Sequence, residues 1–249
     1  MLCANAYLPF DLFLLGAYRN RCYQWGYFPE VRKYDDIEKV IALKTHASIL
    51  WVGRFIKCKH PEDAIYLAIQ LREKGIHFEL TLIGNGEEKD KMEQLIRANH
   101  LKEIVHLYGF MEPEKVRTWM EKSDIFIFTS DRNEGWGAVL NEAMNAGCAV
   151  VANRAAGSAP YLVQDGVNGI LYDRKKRGDC CRKVEQLLQD TTYRKKIQRR
   201  AYKTMDSMWN ANTASTRILN LSQRLLRGED TEYISGPCSK AKIIKDLWL

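Results

Sequence analysis

DIFIFTSDRNEGWGAVLNEAMNAGCAVVA, residues 124–152, is the stretch that decides the fold. It begins with an apolar run, DIFIFTS (124–130), passes through a glycine-flanked turn, continues in helical period over AVLNEAMNA (138–146), and closes on a second apolar run, CAVVA (148–152). Short buried runs on either side of a helix read as strand, helix, strand, the repeating unit of a parallel sheet covered by helices.

The same alternation extends outward from this unit. Upstream, ASILWVG (47–53), FELTLIG (78–84) and EIVHLYG (103–109) read as strands, and EDAIYLAIQLREK (62–74), EEKDKMEQLIRAN (87–99) and PEKVRTWMEK (113–122) as helices. Pro61 and Gly75 bracket the first of these helices, as a proline favoured in a first turn and a glycine beyond the last. Downstream, NGILY (168–172) reads as a last short strand. About six strands alternating with helices predict an α/β fold with a doubly wound, Rossmann-like parallel sheet. Beyond Gly178 three helical stretches follow, DCCRKVEQLLQD, TYRKKIQRRAYKTM and NANTASTRILNLSQRLL, rich in Lys and Arg. The predicted organisation is a leading segment 1–46, a Rossmann-like domain with its C-terminal helices over 47–226, and a tail over 227–249. Residues 1–46 are rich in aromatics but show no complete strand-helix unit, and the tail ends on Leu247, Trp248 and Leu249. Apolar ends of this kind are expected to dock on a further layer.

Composition narrows the function. The 249 residues are 46% apolar, enough for an ordinary core. A formal charge of +7 favours anionic partners, yet no helix-turn-helix, zinc-finger or RNP pattern points to nucleic acid. The seven cysteines have neither CxxC nor Cys/His metal spacing, which suits a reduced, cytoplasmic chain. LPFDLFLLGA (8–17), interrupted by Pro and Asp, fits neither a signal peptide nor a membrane span. The basic helices around Lys195, Lys196, Arg199 and Arg200 carry a secondary expectation, peripheral attraction to the anionic inner face of a membrane.

The chemistry is expected beyond the carboxyl ends of the strands, where ligands meet an open parallel sheet. SDRNEGWG (130–137) lies there. Gly135 and Gly137 let an anion approach the backbone, and the helix predicted to begin near Gly137 offers its first free N–H groups. Glu134 precedes that helix and Glu142 lies about a turn and a half within it. Ionised carboxylates are acceptors only and suit sugar hydroxyls. Arg54 and Lys59 follow the first predicted strand, at the same edge of the sheet, and suit diphosphate oxygens. Phosphates in the middle and hydroxyls at both ends describe a nucleoside diphosphate sugar.

Taken in order, VGRFIKCKHPEDAI (52–65), LTLIGNGEE (80–88), VHLYGFM (105–111), EGWGAVLNE (134–142), AMNAGCAVVA (143–152) and VQDGVNGILY (163–172) resemble the retaining glycosyltransferases of the "glycosyl transferases group 1" family. WGYFPE and GPCSKAKIIKDLWL are similar to a capsule- or surface-polysaccharide branch of it. The resemblance implies a two-domain GT-B architecture of which this chain holds the donor half. It implies transfer of a sugar from a nucleotide to an acceptor hydroxyl, free or lipid-linked, with retention and without a bound metal or other cofactor. By position it implies that Arg54 and Lys59 bind the diphosphate and that Glu134 is the catalytic acid beside the transferred sugar. Gly135, Trp136, Gly137, Ala138 and Val139 then contact sugar and phosphates through their backbone, Glu142 holds the ribose, and the Tyr108-Gly109-Phe110 turn lies near the base. An N-terminal acceptor domain of similar size is expected in a full member; residues 1–46 are expected to be a remnant of it and a linker, and the chain a fragment, a truncated reading frame or one half of a split enzyme.

Two other readings stand beside this one: a nucleotide-sugar binding module without catalysis, and a dinucleotide-dependent oxidoreductase. Against the last, GNGEEK (84–89) lacks the third glycine of GxGxxG and follows an internal strand.

Overall fold

The computed structural model describes residues 1–44 and 47–245; His46 and the apolar end Leu247, Trp248 and Leu249 lie outside the described residues. The chain runs β1 (Leu2–Cys3), α1 (Leu8–Leu14), β2 (Tyr23–Gln24), α2 (Ile37–Ala42), β3 (Ser48–Val52), α3 (Pro61–Glu73), β4 (Glu79–Ile83), α4 (Lys89–Ala98) and β5 (Val105–Tyr108). It continues through α5 (Pro113–Lys122), β6 (Ile125–Phe128), α6 (Val139–Asn145), β7 (Ala149–Asn153), α7 (Ala159–Leu162), β8 (Ile170–Tyr172), α8 (Asp179–Gln189), α9 (Thr191–Ser207) and α10 (Ala211–Leu226).

The six strands read from the sequence form one parallel sheet in the order β5-β4-β3-β6-β7-β8. In register, Leu50 lies between Thr81 and Phe126. Both faces are covered, which is why the strands read as continuous apolar runs rather than as alternating ones. Ile49, Trp51, Leu80, Leu82 and Ile127 face α3, α4 and α8 through Ile65, Leu71, Met92, Val184 and Leu187. Leu50, Phe126, Phe128 and Val150 face the other way, toward Met120, Leu140, Met144 and Met205.

Helix ends follow local chemistry. Pro61 and Pro113 open α3 and α5, where a missing N–H costs nothing. Asp190 and Asn210 cap α9 and α10, accepting from Tyr193 N at 2.8 Å and Thr213 N at 2.8 Å. Helix α9 is latched beneath the sheet by a buried ion pair, Arg194 to Asp124 at 3.2 Å, and by Gln198, which donates to the Asp124 carbonyl at 3.0 Å.

The two ends of the chain depart from the sequence reading. Strands β1 and β2 pair in parallel around α1, so the leading segment does contain a small strand-helix-strand unit. Strands of two residues are too short for periodicity to reveal. The tail returns to this unit. Gln24 N donates to Ser239 O and Cys238 N to Gln24 O, both at 2.8 Å, and Tyr23, Leu221 and Cys238 form a small buried cluster. The end of α1 remains open, with Phe13, Leu14 and Leu15 exposed. Among the described residues no helix is long and apolar enough to cross a membrane.

Candidate functional site

Strand β3 lies between β4 and β6, so the sheet changes winding direction at the β3–β6 boundary, and the crevice of an open α/β sheet forms at that point. Its lips are the loop after β3, residues 53–60, and the loop after β6, residues 129–138.

The first lip is held by backbone contacts. Gly53 N donates to Ile83 O at 3.1 Å and Phe55 N to Asn85 O at 2.8 Å. A Cβ on Gly84 would lie 1.8 Å from the Gly53 carbonyl oxygen, so only glycine permits this approach. Phe55 is buried against Trp51, while its neighbour Arg54 is exposed and its side chain has no partner among the described residues. A single 3-10 turn, Lys57–Lys59, brings the chain to His60, which adopts the left-handed conformation (φ 46°) immediately before α3.

The second lip is bonded to the first at its base. Thr129 donates through Oγ1 to Lys59 O at 2.5 Å and accepts from the Trp51 indole at 2.8 Å; Asp131 N donates to Cys58 O at 2.9 Å. A tight turn follows, in which Asp131 accepts from Asn133 N through its side chain and from Glu134 N through its backbone. This turn carries the Glu134 carboxylate to Lys59: Glu134 Oε2 is ion-paired with Lys59 Nζ and accepts from Ser130 Oγ at 3.3 Å.

Next comes the Gly-Trp-Gly turn. Its carbonyls point inward: Gly157 N donates to Glu134 O and Ser158 Oγ to Trp136 O. Among the described residues no acceptor of the chain bonds the N–H groups of Gly135, Trp136, Gly137 and Ala138. Successive unpaired N–H groups in a turn form an anion-binding concavity. Gly137 has φ +77°, and its Cα hydrogen side lies against the Phe128 ring and the Glu134 carboxyl. The Trp136 indole turns away into the core, packs on Trp209 and donates to Asn141 Oδ1 at 2.9 Å, so only its backbone is offered to the crevice.

Helix α6 begins at Val139, two residues later than Gly137, and Glu142 lies in its first turn. The Glu142 carboxylate is half-buried and makes no hydrogen bond or ion pair among the described residues. Burial pushes its pKa up, and the charge of Arg117 works against that rise; Arg117 itself donates to the Glu142 carbonyl at 3.0 Å.

The profile of the family described as "Glycosyl transferases group 1" matches residues 33–204, more than half of the chain. The chain belongs to the glycosyl transferases group 1 family. Among its relatives, the "uncharacterized glycosyltransferase MJ1178" of Methanocaldococcus jannaschii is 30% identical over 148 residues, 59% of this chain and 40% of that protein. The "putative colanic acid biosynthesis glycosyltransferase WcaL" of Escherichia coli is 26% identical over 192 residues, 75% of this chain and 47% of that one. The chain therefore spans less than half the length of these group 1 relatives. A solved structure of similar fold is Anabaena Alr3699/HepE in complex with UDP-glucose. Its TM-score is 0.71 at 20% identity, with 89% of this chain and 63% of that chain covered. The likeness fixes the fold, the Rossmann-like sheet that GT-B glycosyltransferases use.

Of the residues that the group 1 resemblance singles out, Lys59, Glu134 and Gly137 come together in direct contact. Arg54 shares a lip with Lys59, and Glu142 shares a helix start with Gly137, but neither touches the pair. Tyr108 ends the edge strand β5 and Gly109 and Phe110 follow it, separated from the crevice by β4; Tyr108 packs on Trp119 and Phe110 is exposed. Sequence reasoning did not single out Ser130, which bonds Glu134, or the cluster at His60. The His60 ring bridges Asp131 (Nε2 to Oδ2, 2.9 Å) and Glu62 (Nδ1 to Oε1, 3.3 Å). The first of these contacts spans 71 residues, beyond any local pattern. Among the described residues no group of three or more His, Cys, Asp or Glu is placed to hold a metal ion.

Proposed function

We propose that this chain is the donor half of a glycosyltransferase and binds a nucleoside diphosphate sugar in the β3–β6 crevice. The observation that carries the reading is the convergence of Lys59, Glu134 and four unpaired backbone N–H groups on one turn. The diphosphate sits against the N–H groups of Gly135 to Ala138, with Val139 continuing the helix start, and Lys59 and Arg54 offset its charge. Glu134 faces the transferred sugar and Glu142 the ribose hydroxyls; both are acceptors when ionised, and burial leaves the unpaired Glu142 in want of a donor. Lys59 is ion-paired with Glu134, so diphosphate binding exchanges one anion for another around the same cation.

The reaction proposed is transfer to an acceptor hydroxyl, free or lipid-linked, with retained configuration, in polysaccharide or glycoconjugate synthesis. Positive side chains, rather than a resident metal, meet the charge developing on the departing nucleotide. The WcaL relative is named for colanic acid biosynthesis and the Anabaena neighbour holds UDP-glucose, which supports that direction. An acceptor-side half, in further chain or in trans, completes the enzyme. A cytoplasmic site, with the basic α9 near an anionic membrane face, is part of the proposal; flotation with anionic liposomes tests it, and absence of salt-sensitive binding rejects it.

A second reading is a binding module without turnover. Titration calorimetry with UDP- and GDP-sugars tests both. Lys59→Ala and Glu142→Ala are each expected to weaken binding about ten- to hundredfold, the worth of a charged hydrogen bond of roughly 1.5–3 kcal/mol. Unchanged affinity in both variants overturns the site; binding without transfer after an acceptor-side half is added leaves the module.

A further inference from the structure

His60 is the one described residue whose side chain spans the crevice base by a ring held at both nitrogens. Its Nε2 meets Asp131 Oδ2 on the β6–α6 loop and its Nδ1 meets Glu62 Oε1 in the first turn of α3. Ionised carboxylates only accept, and a neutral imidazole has a single N–H, so both contacts are hydrogen bonds only when the ring carries two protons. The backbone is committed to this arrangement as well. His60 sits in the left-handed region at φ 46°, which residues with a β-carbon adopt uncommonly, asparagine, aspartate and histidine more often than the rest.

The clamp adjoins the proposed donor site on both sides. Lys59, the preceding residue, is ion-paired with Glu134; Asp131 supplies the carbonyl that takes the Glu134 N–H. Both members of the Lys59–Glu134 pair are thus one short step of chain from the His60–Asp131 contact. Resting on the reading of this crevice as a nucleotide-sugar site, we propose that His60 is a positioning residue. Doubly protonated between Asp131 and Glu62, it fixes the spacing of the two lips that carry Lys59 and Glu134, and loss of one proton loosens that site.

The surroundings favour the charged ring. Glu62 and Asp63 face it from α3 and Asp131 from the β6–α6 loop; Arg174, bonded to Asp63, and Lys91 of α4, 3.9 Å from Glu62, are the opposing cations, with Lys57 and Lys59 on its own turn. The hydrogen bond to Glu62, with that to Asp131, holds the His60 pKa above the usual 6.5 against burial and Arg174. Burial alone would raise the Glu62 carboxyl, but the His60 bond and the Lys91 charge hold it below its usual range. With a raised histidine value, the clamp is complete at low pH and is lost as pH rises through that value.

The test measures affinity for UDP-glucose and GDP-mannose by calorimetry from pH 6 to pH 9, using whichever binds more tightly. A sugar diphosphate has no titrating terminal phosphate in this range and its base N–H ionises only toward the upper end, so a pH step below that end reports the protein. The wild-type chain is expected to lose at least fivefold in affinity across the step. His60→Gly accepts the left-handed backbone while removing the ring, and is expected to bind at least fivefold more weakly at pH 6 and to show no step. Asp131→Asn is expected to reproduce that loss, and the double variant to add little to it. If His60→Gly keeps both the affinity and the pH step, or merely unfolds at lower temperature with binding intact, His60 does not position the site and the donor-site reading survives. If the wild-type chain binds neither nucleotide sugar, the donor-site reading fails and takes this inference with it.

Discussion

At Gly137 a single hydrogen atom decides whether the crevice can form. An added Cβ would lie 2.4 Å from Phe128 Cζ, on a backbone with φ +77° that side chains avoid. Gly137→Ala is therefore expected to cost about 1–3 kcal/mol, read as a lower urea midpoint at constant slope. Glu134→Gln should act in the opposite sense on one measurement. It frees Lys59 from its ion pair, so UDP alone is expected to bind about as tightly or up to about fivefold more tightly, the scale of one partly exposed pair, while sugar transfer is lost. Weaker UDP binding in that variant would show that Glu134 does not compete for Lys59. Residue types at this scale were legible in the sequence because glycines and paired charges cluster within eight positions. Contacts were not: Asp131 and His60 are ordinary loop residues until the fold joins chain segments 71 positions apart.

Strands and helices were more readable than side-chain contacts. Every strand of the main sheet lies within two residues of its expected ends, because burial on both faces makes each one a compact apolar run flanked by polar turns. Helices α3, α5, α9 and α10 carry their own start signals in Pro61, Pro113, Asp190 and Asn210. Strands β1 and β2 carry none, since two residues have no period, and α7 is only one turn long. Element chemistry yields two expectations. Asn210→Ala removes the cap from α10 and should cost about 1 kcal/mol of stability, visible in thermal unfolding. Asp124→Ala breaks the latch on α9 and leaves Arg194 charged and buried, with an expected loss of about 3–5 kcal/mol. Chemical denaturation compares the two, and a smaller loss at Asp124 than at Asn210 would mean that the latch contributes nothing.

For the molecule as a whole, the order β5-β4-β3-β6-β7-β8 means that each half of the sheet is built from neighbours in sequence, whereas the β3–β6 pairing is long-range. Local halves form early and distant pairings late, because closing a long loop costs entropy before any contact rewards it. The crevice is the seam between those halves. Cleaving the backbone between Phe110 and Glu112, in the link from β5 to α5, would divide it into two peptides, one bearing Arg54, Lys59 and His60, the other Asp131, Glu134 and Glu142. Neither peptide should retain a nucleotide sugar by itself. Mixed together they should reassociate and recover it, so that ligand capture becomes a readout of complementation.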